Sequence, residues 1–274
     1  MRAVYVDMRP VQAPLGTEVA SIDIGELRIG AVHHGDQVDL HSGRLIRARN
    51  HYANKTTAKL DARISHKNNQ RPNQKPSKRC RRLQCARRQV RDRIKRQNRD
   101  QLRKQARLIV STLHENRVQT VAVGDLSDIR LTANASRQRN QSLHGWVFGQ
   151  FLTELRGQCT KFGLDLALVD ESWTSQTCPW SGGRRKPKGR FFTSPCGQYV
   201  LDRDAVGSVN IKAKYLETRA GKGTAFGPRA TLPWSPVLAG MAPVTRGVRF
   251  RVSHAPGDPI RRGTAPEAAR IPGL

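Results

Sequence analysis

The sequence predicts an α/β fold, and three observations carry that expectation. Apolar, strand-like runs recur along the chain as VASIDI, VQTVAV and LDLALV. The second and third are separated by a helix-like stripe, and strand-helix-strand order at these lengths implies a parallel crossover unit. An apolar fraction of 37% over 274 residues permits one core of ordinary size with appendages.

Charge narrows the partners before any motif is considered. There are 49 Lys and Arg against 21 Asp and Glu, a formal net charge of +28. That excess is far beyond what solubility needs, and the surface it creates selects a polyanion. Nucleic acid is the expected partner and membrane is not, because no run of about 18 apolar residues occurs. The first twenty residues lack the charged-then-apolar layout of a signal peptide, so a cytoplasmic protein is expected, nucleoid-associated in a prokaryote. The five cysteines are odd in number and scattered, a poor disulfide framework that points to metal binding or burial.

The elements follow in order. Residues 1–20, with Pro10 and Pro14, give at most one strand, a short leader rather than a domain. Val19 to Val32 alternates Ile22, Ile24, Leu27, Ile29 and Val32 and predicts a β-hairpin with Gly25 and Gly30 as turn points. Asp23 falls inside its first strand. It either faces outward or, if buried between two isoleucines, requires a partner or a bound cation. Residues 33–70 are polar and predict a further strand or two followed by a loop.

From Pro76 onward no Gly or Pro appears until after Asn116, while Leu83, Val90, Ile94, Leu102, Ala106, Ile109 and Leu113 recur near helical spacing. This predicts a basic helical insertion over 76–116, as one long helix or two. Between Arg71 and Arg107 stand 16 Lys or Arg against two Asp. A merely solvated face mixes both signs, so the lopsided excess points to phosphate contact by Arg81, Arg82, Arg87, Arg88, Arg91 and Arg96.

Val118 to Ile129 predicts a buried strand ending in Gly124 and Asp125, at the sheet edge where ligands and catalytic groups collect in α/β folds. After a polar loop over 132–141, Leu143, Trp146, Val147, Phe151, Leu152 and Leu155 mark one helical stripe packed on the sheet. Leu164 to Val169 is the next strand and delivers Asp170 and Glu171 at its end. Cys178 and Cys196 then bracket a basic, Gly-rich loop where a zinc ribbon would place its two knuckles. A full site needs four ligands, and the spacing partners are Ser181 and Thr193. The two cysteines are therefore a vestigial zinc site over 172–200 or a chance pair, and zinc is expected to bind weakly or not at all.

In LDRDAVGSVNI, Asp202 and Asp204 enter a predicted helix followed by small residues that permit close packing. Either they cap that helix, or Asp204 joins Asp23 and Glu171. Three carboxylates at element ends in so basic a chain suggest phosphodiester hydrolysis with two magnesium or manganese ions about 4 Å apart. Beyond 216 the composition turns to Gly, Pro, Ala and Arg without periodicity. It predicts a disordered basic tail over 217–274, or a frameshifted or read-through end.

Taken together, these segments resemble the TnpB family, the OrfB-type proteins of insertion sequences that are relatives of compact CRISPR nucleases and of Fanzors. ASIDIGELRIGAV is similar to the family's first RuvC motif, VAVGDL to the second, ESWTSQTCPWSGG to the strand entering the zinc ribbon, and LDRDAVGSVNI to the third. The likeness runs from about Val19 to Lys214. It implies an RNase H-like (RuvC) domain over 19–216 that cuts DNA under the direction of a guide RNA, with Asp23 and Asp204 as metal-binding carboxylates. Three departures stand out. The family's amino-terminal region, which helps hold the guide, is reduced to about twenty residues. Two of four ribbon cysteines are lost. Gly124 stands where the common form has glutamate, and Glu171 is the expected replacement, as in members that move that glutamate to the strand before the ribbon. A nuclease-dead nucleic-acid-binding relic or guide-dependent repressor is the rival expectation, and a basic ribosome-associated protein a third.

Overall fold

The computed structural model describes residues 13, 15–70, 74–126, 147–195 and 200–220, and the backbone of 251–253. Its first three strands are β1 Glu18–Asp23, β2 Arg28–His34 and β3 Gln37–Ser42, followed later by β4 Val118–Asp125 and β5 Asp165–Asp170. Two short strands, β6 Phe191–Thr193 and β7 Val200–Asp202, pair as a separate hairpin, and β8 is Arg251–Ser253. The centre is a six-stranded mixed sheet in the order β5-β4-β1-β2-β3-β8. Strands β1 to β3 form an antiparallel meander. Strands β4 and β5 run parallel to β1, so the predicted crossover exists. Its helix is α3, Phe148–Phe162. Leu143, Trp146 and the polar loop over 132–141 lie outside the described residues, as do most of the leader and nearly all of the tail.

Two layers of helix cover the sheet. On one face α2, Lys78–Glu115, and α3 bury Leu102, Ala106, Ile109, Leu113, Phe151 and Leu155 against Ile22, Val121 and Val123. On the other, α4, Arg203–Arg219, packs Ala205 and Val209 on Ala31, Val38 and Leu40, and Ile211 on Ala122 and Val169. Alternation along a strand then sorts the side chains of β1 and β4. Ile22 and Val123 face α2 and α3, whereas Ser21 and Asp23, with Ala122 and Gly124, face α4.

Three expectations are corrected. Residues 44–70 form a helix, α1 Arg44–Gln70, where a loop was expected. Only Ile46, Thr57 and Ile64 are buried on it, too few to give an apolar stripe. Its support is lateral. It runs antiparallel to α2, with Asn98 Nδ2 donating to Asn50 Oδ1 at 2.7 Å, Arg49 to the Gln97 carbonyl at 3.2 Å, and Arg87 paired to Asp61. Gly30 is not a turn residue. It lies within β2 beneath Ile22 and Ile109, where a Cβ would come 3.3 Å from Ile22 Cγ2. The third correction is in the tail, where Arg251–Ser253 adds a parallel strand to the edge of β3.

Candidate active site

The site forms where β1, β4 and β5 end together beneath α4. Ile22, Val123 and Leu168 are level across the three strands. One residue further along lie Asp23 and Gly124, and Glu171 follows directly after β5. The gap left by Gly124 is filled by that glutamate. A Cβ built on Gly124 would stand 3.2 Å from both Cδ and Oε2 of Glu171. Asp23 is pressed against α4, where a Cβ on Gly207 would overlap its Oδ2. The close approach depends on the small residues after Asp204, and Ser21 Oγ donates to the Ser208 carbonyl at 2.6 Å to hold the helix there.

Asp23 and Glu171 are brought within hydrogen-bonding reach of each other, which requires one of the two to hold a proton. Burial is the largest force raising Asp23 well above the usual carboxylate range, and the charges of Glu171 and Asp204 add to it. Burial likewise pushes Glu171 up to about 7, opposed by the Asp23 hydrogen bond and reinforced by Asp170, Asp204 and Asp125. Glu171 Oε2 is buried and meets no donor. Such a carboxylate, turned toward other carboxylates, calls for a cation.

Asp202 and Asp204 divide the two roles open to them. Asp202 caps α4, its Oδ1 accepting from the Asp204 amide at 2.9 Å. Asp204 is thereby left to face the site, and there Arg190 holds it at 2.8 Å. Among the described residues no three His, Cys, Asp or Glu side chains stand close enough to cage a metal ion. The Asp204 carboxylate is instead paired with Arg190. Asp125 is the last residue of β4, one position beyond Gly124, and its charge is among those that raise Glu171.

The remaining predicted residues sit apart. Arg81, Arg82, Arg88 and Arg96 are on α2 without an acidic partner among the ion pairs of the described residues, whereas Arg87 and Arg91 both lean on Asp61 of α1. Cys178 is fully buried with Phe192 and Val206, packed as an apolar side chain. Cys196 lies outside the described residues. Sequence reasoning missed Arg190, Asn210 and Lys214, all of which touch the site or its supports. Lys214 had a signal, since Asp204, Gly207, Asn210 and Lys214 recur at three- and four-residue steps on one helical face. Arg190 had none, being one basic residue among several in its loop.

Comparison with known proteins places this architecture. Residues 3–130 match the family described as a probable transposase of the OrfB type from IS605, and residues 148–211 match the Cas12f1-like TNB domain. The TnpB-like protein MJ0751 of Methanocaldococcus jannaschii is 32% identical over 126 residues, 44% of this chain and 44% of that protein. A solved CRISPR-Cas12f ternary complex superposes with a TM-score of 0.51 at 14% identity, covering 76% of this chain and 41% of that one. A Cas12f1-sgRNA-target DNA complex gives 0.48 at 16% identity, covering 74% and 51%. The chain thus spans about half or less of the length of these relatives. Two family matches, in the order the motifs run, together with the curated relative, support membership of the TnpB-like, OrfB-type family.

Proposed function

We propose that this chain is the RuvC-type catalytic portion of a transposon-derived, RNA-guided DNA endonuclease. An antiparallel meander extended by two parallel strands, with α4 packed on the face that carries Asp23 and Gly124, supports reading this as an RNase H-like domain. The observation that carries the reading is Glu171 lying over Gly124 beside Asp23. A carboxylate missing from the second motif is supplied by the neighbouring strand.

The donor set suits magnesium or manganese. Asp23, Glu171 and Asp204 offer only hard oxygen atoms, and the buried Glu171 Oε2 meets no donor in the protein. Ions bound there would activate a water and stabilise the leaving oxygen, yielding a 5′-phosphate and a 3′-hydroxyl. For its part, the chain holds Asp23 against Gly207, keeps Glu171 over Gly124, and reserves Asp204 by giving the capping task to Asp202. The exposed arginines of α2 supply the surface for guide RNA and target DNA.

One observation favours the rival, a nuclease-dead nucleic-acid-binding relative: the Arg190 guanidinium seated on Asp204. The two readings part in a single experiment. The full chain is purified with its bound RNA, the RNA is sequenced, and cleavage of a matching DNA is followed with and without magnesium. Under the nuclease reading cleavage requires magnesium, Asp23→Asn and Glu171→Gln abolish it, and Asp125→Asn keeps most of it. RNA binding without any cleavage selects the rival, and full activity of Glu171→Gln removes the relocated glutamate from the site.

A further inference from the structure

Lys214 is an anomaly on α4. Its side chain is 6% exposed, and an ammonium group taken out of water costs several kcal/mol unless it is closely paired. Its Nζ donates to Asp170 Oδ2 at 2.7 Å and to the backbone carbonyls of Asp170 and Ser172, each at 2.9 Å. Those carbonyls flank Glu171 on either side. One helical turn away on the same face, Asn210 converges on the same short segment. Asn210, fully buried, donates from Nδ2 to the carbonyls of Thr174 at 2.7 Å and Thr177 at 2.8 Å. The Glu171 carbonyl itself accepts from the Thr174 amide at 3.1 Å and from Thr174 Oγ1 at 2.9 Å. Trp173, between them, is held at φ 67°, a left-handed backbone that a bulky side chain adopts only where its surroundings enforce it.

We propose that Lys214, assisted by Asn210, is the positioning residue for Glu171, fixing the turn after β5 so that this carboxylate is delivered over Gly124. The proposal rests on the reading of Glu171 as a metal-binding carboxylate. Its physical logic is that a glutamate borne on a strand interior is aimed by the sheet. One displaced beyond the strand end has no ladder to aim it. The chain replaces the ladder with a buried ammonium that grips the peptide on both sides of Glu171. The same helix carries Asp204 and Gly207, so the clamp also ties Glu171 to the element that positions Asp23 and Asp204. Residues that orient ligating side chains typically shift metal affinity by 10- to 100-fold when removed.

The test is a manganese titration of the full chain followed by electron paramagnetic resonance, with thermal melts as a folding check. Four proteins are compared: the parent, Glu171→Gln, Lys214→Met and the double variant. Lys214→Met is expected to weaken manganese binding by at least about tenfold. Combined with Glu171→Gln it should add less than about twofold, because the residue it positions is already disabled. A lowered melting temperature with unchanged manganese affinity would overturn the proposal and leave Lys214 a plain anchor of α4. Additive losses in the double variant would overturn it too. If Glu171→Gln alone leaves manganese binding intact, the underlying assignment of Glu171 has failed and the proposal falls with it. Should Lys214→Met not fold, Lys214→Gln takes its place, since its shorter side chain keeps a polar group in the buried site while withdrawing the ammonium from the carbonyls that flank Glu171, and affinity equal to the parent's would again overturn the proposal.

Discussion

Gly207 is where packing and chemistry meet in one residue. Any Cβ there would overlap the Asp23 carboxylate, and the neighbour it strikes is a short side chain with little room to give. Alanine, however, favours a helix over glycine by about 1 kcal/mol. Gly207→Ala should therefore hold global stability within about 1 kcal/mol of the parent while lowering manganese affinity at least about tenfold, measured by melts and titration on the same samples. An unchanged affinity would mean that Asp23 does not ligate. Asp23 also illustrates what residue-level reading can and cannot reach. Its place between two isoleucines announced a burial problem. That the solution is shared with Glu171 depends on strand register, which no local pattern displays.

At the scale of elements, α2 carries the polyanion argument and divides its arginines into two groups. Arg81, Arg82, Arg88 and Arg96 are available to phosphates. Arg87 and Arg91 are committed to Asp61 on α1. Replacing the first four by glutamine should flatten the salt dependence of RNA binding by roughly 0.7 to 0.9 in slope for each phosphate no longer neutralised. Replacing Arg87 and Arg91 should chiefly loosen the helix pair, with a smaller change in slope. Filter binding over a salt series checks both, and equal slopes for the two sets would refute the division. The helix itself was legible because Leu102 to Leu113 repeats at helical spacing. Helix α1 was not, because its contacts are polar and lie on α2, and an element supported mainly by a neighbour leaves little periodicity of its own. The strands β1, β4 and β5 and their parallel crossover were legible from apolar runs, whereas the sixth strand, Arg251–Ser253, came from a stretch without pattern. The carboxylates were legible as residues at element ends, and their supports Asn210 and Lys214 were not singled out, since polar residues within a helix ordinarily face water.

For the molecule as a whole, protonation sets opposing trends. Burial lowers His33 to about 3, with the Lys212 and His34 charges adding to it. Burial also lowers His41 to about 4, against the raising influence of Asp39 and a hydrogen bond with Gln105. The unfolded chain binds protons at these histidines from about pH 6.5 downward and the folded chain does not. Their contribution to stability is thus lost as pH falls through that window, at roughly 1.4 kcal/mol per pH unit for each. Glu171 acts in the other direction. Its folded value of about 7 lies above the ordinary 4.5, so its contribution is present in acid and lost as pH rises from about 4.5 to 7. Glu171→Gln removes that second trend. In the absence of divalent ions the variant should melt higher than the parent at about pH 8, and the difference should vanish below about pH 4.5. Melting curves across that range decide it, and a parent more stable than the variant on the alkaline side would contradict the crowding of carboxylates.

The length of α2 has a mechanical meaning. It runs unbroken for 38 residues, and its inner part, from the fully buried Leu102 to Leu113, is locked in the core. Arg82 lies twenty residues before Leu102, a separation of about 30 Å of helix, or about nine base steps of stacked duplex. With α1 braced along it, the pair is a rod without a hinge, so a strand gripped at its tip is held at a set distance from the carboxylates. Removing about seven residues from each arm, roughly two helical turns, would draw the tip inward by about 10 Å. The protected boundary on bound nucleic acid should then move in one step of about three nucleotides, as a ruler shortened by one division would move it.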